Sequence, residues 1–131
     1  MIVVVWKKSG LTEEEFEDLW FNGHGSLCKR YAPAMGIVKC IQSHKFPSSV
    51  MDHFSKDRGW AGAPDGVAEA WWESEESMIA ALNTPEGREA SRILKADEER
   101  FFDHSQAIPI MSTEETILDF TATVKGTSFK G

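Results

Sequence analysis

Positive charge is scarce in this chain. Against 21 acidic residues stand 14 lysines and arginines, leaving a net charge of −7 over 131 residues. The basic pairs Lys7-Lys8 and Lys29-Arg30 are too small to neutralise a phosphate backbone, so no nucleic acid is expected as a partner. An anionic membrane surface suits the charge no better, and no apolar run approaches the roughly 20 residues that cross a bilayer. Cysteine is limited to Cys28 and Cys40, and the four histidines fall into no H-x-H or H-E-x-x-H spacing, so no metal is expected. Gly59-Trp60-Ala61-Gly62 matches no phosphate-cradling loop, and without a G-x-S-x-G elbow no serine hydrolase is expected. The opening MIVVVWKK has neither a basic leader nor a cleavage site. The expectation is a cytoplasmic chain whose thiols stay reduced.

Tyrosine is scarce too: Tyr31 stands alone beside five tryptophans and eight phenylalanines. Large rings without hydroxyls suit a packed core, a subunit interface or an apolar pocket. The length suits one domain with a real core.

Ile2–Lys8 is β-branched and continuous, as a buried strand is. Thr12 to Glu15 gives a capping box, with Leu11 and Phe16 placed as a hydrophobic staple. Phe16, Leu19, Trp20, His24 and Leu27 then follow one helical stripe, in which Gly23 and Gly25 flank the histidine. Glycine there either frays the last turns or leaves room at the imidazole for something other than protein. Met35–Phe46 alternates as a second strand, with Val38, Cys40, Gln42 and His44 on one face and Ile37, Lys39, Ile41 and Ser43 on the other. Pro47–Asp65 is expected to be a long irregular segment, either a lid that closes with Phe54 and Trp60 or a surface excursion.

Val67–Glu73 forms the third expected strand, with Val67, Glu69 and Trp71 on one face and Ala68, Ala70 and Trp72 on the other. Ser74 caps a helix, and Pro85 restarts one along which Ala90, Ile93, Leu94, Asp97 and Phe101 share a side. His104–Glu114 is the fourth strand, with Pro109 favouring an edge. The order β-α-β-β-α-β is the split βαβ pattern of ferredoxin-like folds, an α+β class with one antiparallel four-stranded sheet. Helices cover one face of that sheet. The other is bare and apolar, and a second copy of the chain is its simplest cover.

Leu11-Thr12, Phe16, Trp20, His24 and Leu27, then Ile41-Gln42-Ser43-His44, then Asp65-Gly66-Val67-Ala68-Glu69-Ala70-Trp71, resemble the EthD-domain family of the dimeric α+β barrel superfamily. The resemblance runs from about Met1 to Met111. It implies a domain over residues 1–117, with 118–131 left as a C-terminal arm or extra strand. It also implies a homodimer in which two sheets close a barrel and each subunit holds a cleft between sheet and helices. Superfamily relatives act on small hydrophobic, often aromatic or polyketide, molecules without metal or organic cofactor, as cyclases, decarboxylases, isomerases and monooxygenases. Where the family often has a strand-two tyrosine this chain has Cys40, a poor replacement donor.

His24 is then the candidate general base or acid; its other reading is a helix-end histidine bonding a backbone carbonyl. His44 and Gln42 would orient a carbonyl or phenol, unless His44 merely ends a strand near solvent. Glu69, between Val67 and Trp71, would hold His24 or His44 in one tautomer or act as an acid of raised pKa. Its alternatives are a salt bridge to Lys39 or Arg30, or plain exposure. Trp20 and Trp71 would stack on a substrate ring, with Cys40 nearby, although core packing explains such rings equally. His53 and His104 carry little signal. Cys28 lies one helical turn from His24 and reads as structural. Three functions stay open: a cofactor-free enzyme, a non-catalytic ligand-binding or accessory protein, and a structural dimer without a pocket.

Overall fold

A run of β-branched side chains buries both its faces only inside a sheet, and Ile2–Val5 takes that place as β1. A computed structural model of the chain describes residues 1–123. In it β1 lies between β3 (Gly66–Trp71) and β4 (Ile108–Ile110), and β2 (Lys39–His44) lies outside β3. Every pairing is antiparallel, giving the order β2-β3-β1-β4 of a ferredoxin-like sheet. The expected α+β fold with a four-stranded antiparallel sheet is therefore present. Pro109 falls on edge strand β4, opposite Val3, where a missing N–H costs nothing to the ladder.

Register decides which face each side chain serves. Cys40, Gln42 and His44 stand opposite Ala70, Ala68 and Gly66, and Val3 stands opposite Ala68. These residues face the helices. Ile41 and Ile2 stand opposite Glu69, Lys39 opposite Trp71, and Ile110 opposite Ile2. Those face away, and Ile108 and Ile110 are 56% and 53% exposed.

The core lies on the helical face. Val5, Phe16, Trp20 and Phe101 are fully buried, joined by Phe102 and backed by Val3, Leu11, Leu19 and Ala68. Gly66 belongs here: a Cβ on it would stand 2.7 Å from the Ser43 carbonyl and overlap the Trp20 ring. Strand and helix meet too closely at this point for any side chain but hydrogen.

The first helical region is three pieces. Thr12 accepts from the Glu15 amide at 3.1 Å and starts α1 (Glu13–Glu17). Asp18–His24 then widens into a π-helix before α2 (Gly25–Tyr31) resumes. Fraying is not the consequence of Gly23 and Gly25; both sit in continuous helix, and the bonding pattern changes instead. The wider turn keeps Trp20 and His24 together on the buried face.

Several boundaries differ from the sequence pattern, the first strand ending at Val5 and the third at Trp71. The second strand begins at Lys39, because Ala32–Met35 forms a 3-10 turn closed by Gly36 at φ 77. The segment between β2 and β3 is not irregular: Ser48 accepts from the Met51 amide and Gly59 closes at φ 66, bounding α3 (Ser49–Arg58). Its apolar residues Val50, Met51 and Phe54 stand at helical spacing and stay exposed. The fourth strand is short, and of the tail expected to be a strand or arm, Thr121–Thr123 forms a 3-10 turn while 124–131 lie outside the described residues. Two helices follow β3: α4 (Glu75–Leu82), capped reciprocally by Ser74 and Ser77, and α5 (Pro85–Glu98), capped by Thr84. Among the described residues no helix is long and apolar enough to cross a membrane.

Candidate functional site

Between the sheet and the helices lies a cleft of about 820 Å³. Its wall combines apolar groups with a few convergent polar ones, the usual make-up of a small-molecule site. The π-helical segment supplies Trp20 and His24, α2 supplies Cys28, β2 supplies Cys40, Gln42 and His44, and the end of α5 supplies Glu98.

His24 is buried, and its partner is on α5. Nδ1 donates to Asp97 Oδ2 at 2.9 Å, and Asp97 Oδ1 accepts from Arg100 Nε at 2.8 Å. The proton on Nδ1 leaves Nε2 as the basic nitrogen, and Glu98 Oε2 stands 3.8 Å from it. Burial pushes His24 below the usual imidazole range, against the opposing pull of Asp97. The ring is thus neutral near pH 7. Glu98 moves the other way: burial first, then repulsion from Asp97 and Glu99, raises its carboxyl to about 7. Its second oxygen lies 3.9 Å from Nε2 of His104. Exposure rises along this line, from buried His24 to Glu98 at 29% and His104 at 44%.

The opposite wall is a tighter network. Gln42 donates from Nε2 to the Trp20 carbonyl at 2.9 Å, which leaves its Oε1 to accept from His44 Nε2 at 2.8 Å. His44 Nδ1 meets Glu17 Oε2, so both ring nitrogens have protein partners. The His44 ring also packs on Trp20, with centroids 4.2 Å apart. Gln42 ties β2 to the π-turn at the carbonyl that also accepts from the Gly25 amide.

Comparison with known families bears on the same stretch of chain. A model of the EthD domain matches residues 8–105. This chain belongs to the EthD family. The fold of this EthD chain is similar to the crystal structure of an ethyl tert-butyl ether D (EthD) family protein from Bacillus halodurans C-125, at 15% identity and a TM-score of 0.56. That likeness covers 87% of this chain and 96% of the other, and it speaks to fold alone. No curated protein sequence matches the chain.

In this EthD chain, His24, Trp20, Cys40, Gln42 and His44 are brought to one cleft. Trp71 is not, and Glu69 borders both that cleft and the depression on the far side of the sheet. Their side chains lie on the opposite sheet face, where this depression of about 680 Å³ opens beside Met78 and Met111. There Trp71 Nε1 donates to Glu69 at 3.1 Å, and the Lys39 ammonium stands 5.2 Å from the Trp71 ring. The Glu69 carboxylate is thus bonded to Trp71, while His24 and His44 have Asp97 and Glu17 as their carboxylate partners, and Trp71 lies outside the His24 cleft. Strand alternation separates them. Trp72, the next residue, lines the His24 cleft and donates to the Met35 carbonyl at 2.8 Å. Nor do residues 46–64 close the cleft, since none of them forms its wall.

Asp97, Glu98 and His104 are the functional groups that sequence reasoning passed over. Asp97 did leave a signal: a carboxylate in the stripe of Ala90, Ile93 and Leu94 needs a partner when buried. Among the described residues no group of three or more His, Cys, Asp or Glu is placed to hold a metal ion.

Proposed function

We propose that this EthD-family chain binds a small hydrophobic molecule, aromatic or polyketide-like, and acts on it by cofactor-independent acid–base chemistry. His24 is the base. The observation that carries this reading is the buried Nδ1–H···Asp97 bond in the cleft wall, which fixes the tautomer and leaves Nε2 as the acceptor. Nε2 takes a proton from carbon next to a carbonyl or from a phenol. Asp97, held by Arg100, stabilises the imidazolium that forms. Glu98 beside Nε2 relieves the imidazolium of its proton, and His104 at the rim passes it to water. Trp20 and Trp72 supply apolar walls, and Gln42 and His44 keep β2 fixed against the π-turn. Cyclisation, decarboxylation, isomerisation and oxygenation each begin with such a proton transfer.

The reading includes a homodimer closed through the outer sheet face, where Ile108 and Ile110 are open. Hydrogen exchange in deuterated buffer tests the chemistry, with a panel of hydrophobic aryl ketones and cyclic diketones as probes. The protein is expected to accelerate loss of the α-proton signal, and His24→Ala to slow it by about 100-fold or more. Exchange unaffected by His24→Ala would overturn the reading. Tight binding of a probe without exchange would instead make the protein a carrier for a partner enzyme.

A further inference from the structure

Charge is divided between the two hollows of this acidic chain. The depression on the outer sheet face is walled by Glu69, Glu73, Glu75 and Glu114, with no lysine or arginine among its described lining residues. The His24 cleft holds Lys29 and Lys95 instead, against Glu69 and Glu98. Lys29 stands on α2, five residues beyond His24, and Lys95 on α5, three before Glu98. At about 1.5 Å per residue, both lysine stems start within about a turn and a half of the His24–Glu98 pair. Both are exposed, which places them at the cleft mouth. Among the described residues neither ammonium has an ion pair or a hydrogen bond. Lys45 by contrast pairs with Asp65 at 3.0 Å, Lys8 donates to the Glu99 carbonyl at 2.9 Å, and Lys39 stands over Trp71.

We propose that the cleft takes a hydrophobic monoacid: an aromatic or polyketide-like molecule with one carboxylate, held at the mouth by Lys29 and Lys95 while its carbonyl or phenol end reaches Nε2 of His24. The inference rests on the reading of this cleft as the ligand site.

The apolar wall binds the body of a ligand without fixing its direction, because apolar burial is non-directional. A charge at one end fixes it. Two ammonium groups on long stems from different helices can close on one anion, and neither has to leave another partner. The other charges in the wall limit the ligand. Glu98, raised by burial to about 7, is half ionised at neutral pH, and Glu69 stands near it. One negative charge is attracted there, whereas the several charges of a polyphosphate would meet these carboxylates. A protonated amine fits worse, because the groups left without partners are cations.

The test is calorimetric titration of the full chain with β-benzoylpropionate, an aryl ketone ending in a carboxylate, and with its neutral methyl ester. The acid is expected to bind at least about tenfold more tightly than the ester. That margin is expected to shrink from about 0.05 to 0.5 M salt, as exposed charges are screened. Lys29→Gln and Lys95→Gln together are expected to bring the acid down to the ester's affinity and to leave the ester where it was, which also shows that the double variant is folded. Lys56→Gln, on α3 and outside the cleft wall, is expected to change neither. An ester bound as tightly as the acid would overturn the proposal, as would a preference for the acid that survives loss of both lysines, or binding of neither probe. Those outcomes leave the exchange of neutral ketones at His24 untouched. A preference for the acid without any exchange would instead remove the base and keep the anion site.

Discussion

Glu98 and His24 pull the stability of this protein in opposite directions with pH. Glu98 has a folded pKa of about 7, raised by burial from an ordinary carboxyl value. Between about pH 4.5 and 7 the folded chain holds a proton that the unfolded chain has released, so this contribution is present in acid and lost as pH rises through 7. His24 is lowered, so its contribution is present above the unfolded value of about 6.5 and lost as pH falls below it. Glu98→Gln keeps the shape and removes the alkaline loss. Its thermal midpoint is expected to exceed that of wild type increasingly from pH 5 to 8, while the acid limb set by His24 remains. A Glu98→Gln curve parallel to wild type over that range would show that burial does not shift this carboxyl. Of these groups His24 was legible in the sequence, because its spacing from Phe16 and Trp20 put an imidazole on a buried stripe. Its partner was not. The crossing of α5 over the π-turn, which no local pattern encodes, is what brings Asp97 to it.

At the scale of elements, local signals carried far where side chains alternate or cap. Strand faces were legible: the alternation that put Gln42 with His44, and Glu69 with Trp71, is the one observed. Of the two outer-face candidates, Trp71 lies outside the His24 cleft and Glu69 borders it. Helix α3 left a short pattern, Val50, Met51 and Phe54 between the caps Ser48 and Gly59, set in a stretch whose glycines and prolines read as a loop. The π-turn was illegible because its signature is a changed hydrogen-bond ladder and not a residue type. Glycines illustrate the same limit. Gly25 flanks the histidine, yet it has helical backbone angles, and an added Cβ would meet only the Trp20 carbonyl at 3.9 Å. Gly66 looks like an ordinary turn residue, yet an added Cβ there would overlap the Trp20 ring. Gly25→Ala is therefore expected to stabilise by about 0.5–1 kcal/mol. Gly66→Ala is expected to cost about 1–3 kcal/mol through overpacking. Urea denaturation of the two variants checks the contrast, and equal shifts would contradict the close approach of β3 to Trp20.

The whole molecule presents two unlike sheet faces. The helical face holds the core and the His24 cleft, so its apolar groups already have partners. The outer face carries Ile2, Val4, Ile41 and Val67, half-buried, and Ile108 and Ile110, exposed, and there Trp71 links Glu69 and Lys39. A sheet with one such face gains from burial against a like face, and a two-fold dimer offers each copy the same surface. Trp20 and His24 lie on the helical side of the sheet, away from Ile108 and Ile110. Dimer and site are therefore separable by mutation. Ile110→Glu places a carboxylate at the β4 edge of the outer face, away from Trp20 and His24. Native mass spectrometry is expected to find wild type as a dimer and Ile110→Glu as a monomer, with the cleft's ligand affinity and the His24–Asp97 proton resonance retained. A wild-type monomer would remove the dimer from the proposed function and leave the outer face to a different partner. A dimer that survives Ile110→Glu would move the contact away from β4. Loss of the His24 resonance together with the dimer would show that the two faces are coupled through the sheet, and that the cleft depends on the second copy for its shape.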